Sequence, residues 1–321
     1  MTARSDSTPI LSRRRFLHQV TLAGAGAFLA ACAGTSGSAT PSDAASGGVG
    51  ASAPPNPGSA AISAVAPDAT ADLAVVAATY EQLVDQPNPF VFGLFTLEQE
   101  PLASASAQVY AVPESGEPVG PWPAEPADVD VPPGALYTVP AEFPPTGLHE
   151  LVVVTDDGRA GVAAVDVRDS DSSELAAPGQ QAQAVATPTT DDDLGYDRIC
   201  TQSPEPCGMH DLSLEQALAG DTPVVLLFAT PAFCQTAVCG PSVGVLDEVR
   251  RDGFDDVTFV HCEIFSDAGE TLGDPVRAWN LPTEPWMFVI DTDGTIVRRA
   301  DGPLLVVADE IRALIEDVTS A

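Results

Sequence analysis

The sequence predicts two folded modules in series, an all-β sandwich followed by an α/β domain. Three observations carry that prediction. Between residues 71 and 169, short β-branched runs are separated by Pro, Gly and Asp turns. From residue 196 to 321, apolar runs of strand length are interleaved with helical stretches. Each module is preceded by a segment rich in Gly, Ser, Ala, Pro or Gln, 32–70 and 170–195, that lacks the apolar residues to build a core. At 321 residues the chain has room for about two domains.

Composition excludes some partners. All 13 basic residues are arginines, against 46 acidic ones, and the formal net charge is −33. Such a surface repels nucleic acid and anionic lipid, so neither is expected as a general partner.

Residues 1–31 read as a targeting segment rather than as fold. Ser12-Arg13-Arg14-Arg15-Phe16-Leu17 matches the twin-arginine export motif. The apolar run that follows, 20–31, falls short of the ~20 residues needed to span a bilayer. It ends in Leu29-Ala30-Ala31-Cys32, which resembles a bacterial lipobox. That resemblance implies cleavage before Cys32, a lipid on its sulfur, and a place on the extracytoplasmic face of the cell membrane. The alternative is an incidental Cys32 with ordinary cleavage nearby. Residues 32–70 would then be a flexible tether.

The β module is expected to contain strands at 73–79, 90–95, 107–112, 135–139, 150–155 and 161–167. Short strands at this spacing favour an antiparallel, immunoglobulin-like sandwich. It has no cysteine and a single histidine, His149, expected to be exposed and without a metal role. Residues 170–195 read as a second linker.

The α/β module opens with a short helix, 214–219, capped from Ser213. Residues 224–228 form an apolar run suited to a strand covered on both faces. A loop broken by Pro231 follows, and Gly240-Pro241 fits a helix start. The next strand is placed at 257–265 and a short helical or irregular connection at 271–279. An apolar strand follows Pro285. Asp293-Gly294 turns into a strand at 295–299, and 306–318 closes the chain as a helix.

Two cysteines flank the loop after the first strand. Cys234 and Cys239 are five residues apart, which in a regular helix puts their Cα atoms about 8.6 Å from each other. That exceeds the ~7 Å limit for a disulfide. If they bond, Cys234 must lie before the helix or the first turn must unwind. A cysteine at a helix start is favoured as thiolate by the positive end of the helix. Cys200 and Cys207 flank a second loop with two prolines, read as a structural disulfide; the alternative is a second redox pair. Cys200-x6-Cys207 with Cys234-x4-Cys239 does not give a short cysteine pair at both ends, as is usual in zinc sites, so zinc is not expected, and the reading calls for no metal and no cofactor. Cys262 lies mid-strand and reads as a core thiol. His261 and Glu263 share the opposite face of that strand, with Glu263 expected at the surface.

Strand, cysteine loop and helix at 224–249, with Pro285 preceding an apolar strand, resemble the thioredoxin superfamily. More narrowly, residues 197–321 resemble the thioredoxin-like domains of bacterial envelope lipoproteins. The resemblance implies a thioredoxin-like fold, with Pro285 as a cis-proline beside the cysteine pair and Pro282 as second choice. It implies thiol–disulfide exchange with exported proteins, Cys234 attacking and Cys239 resolving. The match departs from the family in its C-x4-C spacing. Peroxiredoxins with a nearby resolving cysteine share that spacing, which makes a thiol peroxidase one alternative, although their Pro-x-x-x-Thr-x-x-Cys pattern is absent. Cys239-Gly240-Pro241-Ser242 also resembles the thioredoxin Cys-Gly-Pro-Cys, which would make Cys239 the nucleophile. Thioredoxins place a buried carboxylate beneath the cysteine pair, and the resemblance offers Glu263 as the alternative source of one. His261 with the two cysteines is a poor match to copper-delivery members. A scaffold or binding lipoprotein with structural disulfides is the non-enzymatic alternative.

Overall fold

The computed structural model describes residues 60–84, 89–102, 106–115, 117–127, 129, 136–140, 143, 146–234 and 238–319. The export motif, Cys32 and the tether through residue 59 lie outside the described residues. Among the described residues, no helix is long and apolar enough to cross a membrane.

The first module is β-rich. Helix α1 (Ala60–Val65) precedes strands β1 (Thr70–Ala71), β2 (Leu73–Ala77), β3 (Gln82–Leu83), β4 (Phe90–Thr96), β5 (Ala107–Pro113), β6 (Val119–Ala127), β7 (Leu136–Val139), β8 (Gly147–Thr155) and β9 (Arg159–Arg168). They run in the order β1-β9-β8-β5-β6-β7-β4-β2, with β3 added on β9. All neighbours are antiparallel except β1 and β3, which lie parallel to β9. Strand β6 is the corner. Its first part, through Ala124, pairs with β5, and its last part, Glu125–Ala127, pairs with β7. The path thus folds into two layers, as in a β sandwich. The two layers approach again where β9 passes β2: a Cβ on Gly161 would stand 2.5 Å from the Leu73 carbonyl oxygen.

Strand β6 is absent from the sequence expectation because Pro121, Pro123 and Pro126 argue against a strand. Each half of β6 has a ladder on one side only, so prolines without an N–H fit there. In β5, burial alternates along Ala107, Val109 and Ala111, as expected for one face on the core. The interior is aromatic, with Phe92 stacked on Tyr137 at 5.1 Å and Phe90 meeting Phe143 edge-on at 5.9 Å. His149, expected at the surface, is buried on β8. The end of the expected tether is also folded: Ala61 and Ile62 of α1 pack on Val152, Ala160 and Val162.

The second module comprises α2 (Leu214–Ala217), β10 (Val224–Ala229), α3 (Cys239–Arg251), β11 (Thr258–Glu263), α4 (Asp274–Ala278), β12 (Trp286–Ile290), β13 (Ile296–Asp301) and α5 (Ala308–Thr319). Its sheet runs β11-β10-β12-β13. Strand β10 is parallel to β11 and antiparallel to β12, and β12 and β13 form an antiparallel hairpin. All six residues of β10 are buried because both faces are covered. Val225 and Leu227 face Val243, Leu246, Ile311 and Ile315 of α3 and α5. Val224, Leu226 and Phe228 face Leu214, Val276 and Trp279. A short 3-10 turn, Gly302–Val306, delays α5 relative to the expected start.

Residues 170–195 have linker composition, yet they are folded onto the second sheet. Gln180 accepts the Ile296 N–H, Ala182 donates to Gly294, and Gln181 bridges Thr295. Leu175 and Ala177 are buried. The segment gains order by completing the unpaired edge of β13, which composition does not reveal.

The modules share apolar and charged contacts. Val91 and Leu136, on the outer face of the β4–β7 ladder, belong to the same core cluster as Leu304, Leu305 and Ile311. Glu81 and Arg299 form a buried ion pair, and Tyr80 donates its N–H to Asp301 at 2.8 Å.

Candidate functional site

Two thiol clusters flank the C-terminal end of β10. The first lies in the loop that β10 feeds. Cys234 sits before the helix, its N–H bonded to the Thr230 carbonyl at 3.0 Å, and α3 begins at Cys239. This is one of the two arrangements that let sulfurs at a five-residue spacing meet. The Sγ atoms of Cys234 and Cys239 and a carboxylate oxygen of Glu284 all lie within 4.8 Å of one another. Cys239 is fully buried, whereas Cys234 is partly exposed. Glu284 arrives from the loop before β12, and the Glu284–Pro285 peptide is cis; Pro282 is not in a cis bond.

Electrostatics separate the two thiols. The neighbouring Cys234 sulfur and burial push the Cys239 thiol well up, and the charge of Glu284 adds to this. The direction is opposite to the thiolate preference expected at a helix start. Cys239 is therefore a protonated, buried thiol beside a more accessible sulfur.

Behind this loop, Glu263 is buried rather than exposed. Burial raises its pKa, opposed by the positive field of His261 and by hydrogen bonds. It accepts the Thr201 N–H at 2.8 Å and the Thr201 hydroxyl at 3.2 Å. The Thr201 hydroxyl in turn accepts the Ala232 N–H at 3.0 Å. A buried carboxylate is thus connected through one threonine to the cysteine loop.

The second cluster gathers Cys200 and Cys207, the pair expected as a structural disulfide. The two sulfurs are 3.7 Å apart and unbonded in this structure. A disulfide would bring them to ~2.05 Å. They converge instead with His210 and His261, and all four residues are buried. His261 thus turns toward Cys200 and Cys207 rather than toward Cys234 and Cys239. The Cys207 hydrogen bond pulls Cys200 down, with burial opposing and both histidines assisting; Cys200 and burial push Cys207 up. His210 escaped notice in the sequence because it follows Cys207 in an irregular loop. The available signal was the spacing Cys207-x2-His210.

Cys262 faces the opposite side of β11, packed with Phe228 and Trp279 among others, and burial pushes its thiol up. It belongs to neither cluster. Both clusters bring together atoms that could hold a metal ion.

No protein-family model matches this chain, and no curated protein matches it.

Proposed function

We propose that the chain is a thiol–disulfide oxidoreductase of thioredoxin-like type, held to the extracytoplasmic face of the membrane by a lipid on Cys32. The observation that carries the chemistry is the juxtaposition of partly exposed Cys234 with buried Cys239, opposite the Glu284–Pro285 loop. The sheet order β11-β10-β12-β13, with the cysteine loop between β10 and α3, supports the thioredoxin-like reading. The two-layered path of the first module supports an immunoglobulin-like sandwich as its companion.

The reaction follows from the order of exposure. The Cys234 thiolate attacks one sulfur of a disulfide in an exported protein. The substrate S–S bond breaks, a mixed disulfide forms, and the departing sulfur takes a proton. Cys239 then gives up its proton and attacks Cys234, releasing the second substrate thiolate. The substrate disulfide is reduced by two electrons and the Cys234–Cys239 pair is oxidised. Run in reverse, the same pair oxidises a substrate dithiol. No cofactor takes part.

The test uses the full chain carrying Cys239→Ser and a disulfide-bonded peptide as probe. A mixed disulfide should accumulate on Cys234, and Cys234→Ser should abolish it. Capture at another cysteine, or none, contradicts the assignment. Faster formation of sulfenic acid on Cys234 from hydrogen peroxide than of the peptide adduct would favour the peroxidase reading.

A further inference from the structure

We propose that Cys200, Cys207, His210 and His261 form a closed, four-coordinate zinc site that holds the 197–210 loop against β11. The inference stands on this cluster's own geometry and does not depend on the redox activity of Cys234 and Cys239.

Distances carry it. With Zn–S near 2.3 Å and Zn–N near 2.0–2.1 Å, a regular tetrahedron has edges of about 3.8 Å for S···S, 3.6 Å for S···N and 3.3 Å for N···N. Here Cys200 Sγ and Cys207 Sγ are 3.7 Å apart. The sulfur–nitrogen edges are 3.8 Å from Cys200 to His261 Nδ1, 3.3 Å from Cys207 to His261 Nδ1, and 3.3 Å from Cys207 to His210 Nε2. The His261 Nδ1 to His210 Nε2 edge is 3.2 Å. The remaining edge, Cys200 to His210, is within 4.8 Å. Five edges therefore match a zinc tetrahedron to within about 0.3 Å.

The donor chemistry agrees. The Ala229 carbonyl, 3.1 Å from His261 Nε2, can only accept, so Nε2 carries a proton and Nδ1 turns its lone pair to the cluster. A backbone carbonyl behind a histidine ligand is a common orienting partner at zinc sites. Two thiolates and two neutral imidazoles around a divalent cation make a neutral unit, which removes the cost of burying separate charges. The set of two sulfurs and two nitrogens in tetrahedral array suits zinc over copper(II), magnesium or calcium. All four residues are at most 8% exposed, leaving no open position for substrate, so the role is structural.

Its place in the fold explains the use. Three ligands come from one irregular loop and the fourth from β11. The loop is also tied by Thr201 to Glu263 and Ala232. On binding, two thiol protons are released as two Zn–S bonds form. The sulfurs so committed do not exchange with Cys234 and Cys239, which confines the redox chemistry to one pair.

The test is the metal content of the full chain, purified in detergent without chelator under mild reductant. One zinc per chain is expected, unchanged in the Cys234→Ser/Cys239→Ser double variant and at least tenfold lower in Cys207→Ser and His210→Ala. Because loss of a ligand can also unfold the chain, the metal-stripped wild-type chain is titrated with cobalt(II). A tetrahedral cobalt spectrum with sulfur-to-metal charge transfer, displaced by one equivalent of zinc, is the second expected result. Less than 0.1 zinc per chain with a Cys200–Cys207 disulfide, octahedral cobalt, copper(I) alone, or zinc lost only in the Cys234→Ser/Cys239→Ser variant would overturn the proposal.

Discussion

Replacing Arg299 by methionine removes the charge at the joint between the two modules. Its side chain is 2% exposed and that of its partner Glu81 is 6% exposed. Arg299 also donates to Ser173 Oγ and to the Ala176 carbonyl, both at 3.2 Å, and lies 5.6 Å from the Trp286 ring centre. Removing one member of a buried pair typically costs about 3–5 kcal/mol, because the survivor stays buried and uncompensated. Arg168, 3.7 Å from Glu81 and 40% exposed, takes up part of the stranded charge. Methionine keeps the apolar contacts of the stem, while two hydrogen bonds of about 1 kcal/mol each are lost. A loss of about 3–4 kcal/mol follows, on the order of 10 °C in Tm. Adding Glu81→Gln removes the stranded charge and should recover at least about 1.5 kcal/mol in a double-mutant cycle. Urea unfolding followed by tryptophan fluorescence measures all four corners of that cycle. A loss below about 1 kcal/mol for Arg299→Met, or strictly additive losses, would refute the reasoning, since either result means that the pair is not buried between the modules.

Asp301 gives a pH dependence at the same joint. Burial pushes its carboxyl up to about 7, against the Tyr80 N–H and Arg299, with Glu81 adding to the rise. Its folded pKa lies above its unfolded value, so the folded state holds the proton longer and stability falls as pH rises from about 4 to about 7. Full ionisation would cost up to about 4 kcal/mol. The side chain keeps partial solvent access, which reduces this to about 1–3 kcal/mol. Asp301→Asn should flatten that part of the curve in thermal melts across the range; an unchanged slope counts against it. Gly161→Ala tests the approach of the two β layers. Its Cβ would meet the Leu73 carbonyl at 2.5 Å, so a loss of about 1–3 kcal/mol is expected in the same urea assay, and a neutral result would mean that β2 and β9 stand further apart.

Much of the C-terminal sheet was legible because its signals are local. The uninterrupted run 224–228 has the composition of a strand buried on both faces, one residue short of β10, and Asp293-Gly294 has turn chemistry that places β12 and β13 on either side. Chain geometry offered two ways for Cys234 to meet Cys239, a place before the helix or an unwound first turn, and Cys234 lies before α3. What escaped depends on contacts between distant residues. Glu284 meets the cysteines only because β12 pairs with β10. Glu263 is buried because Thr201, 62 residues earlier, provides two donors. The prolines of β6 conceal a strand whose halves each use one ladder. The Cys200 and Cys207 spacing suggested a disulfide because His261, on β11, could not be placed beside it from sequence.

The reduction potential of the Cys234–Cys239 pair tests the exchange chemistry most directly. It is read in the full chain by thiol trapping and mass spectrometry in graded redox buffers, with Cys200, Cys207 and Cys262 counted separately. A reversible two-electron couple above about −250 mV is the predicted result. A pair that remains oxidised through the range, as structural disulfides below about −300 mV do, or one that never forms, would contradict the proposed function.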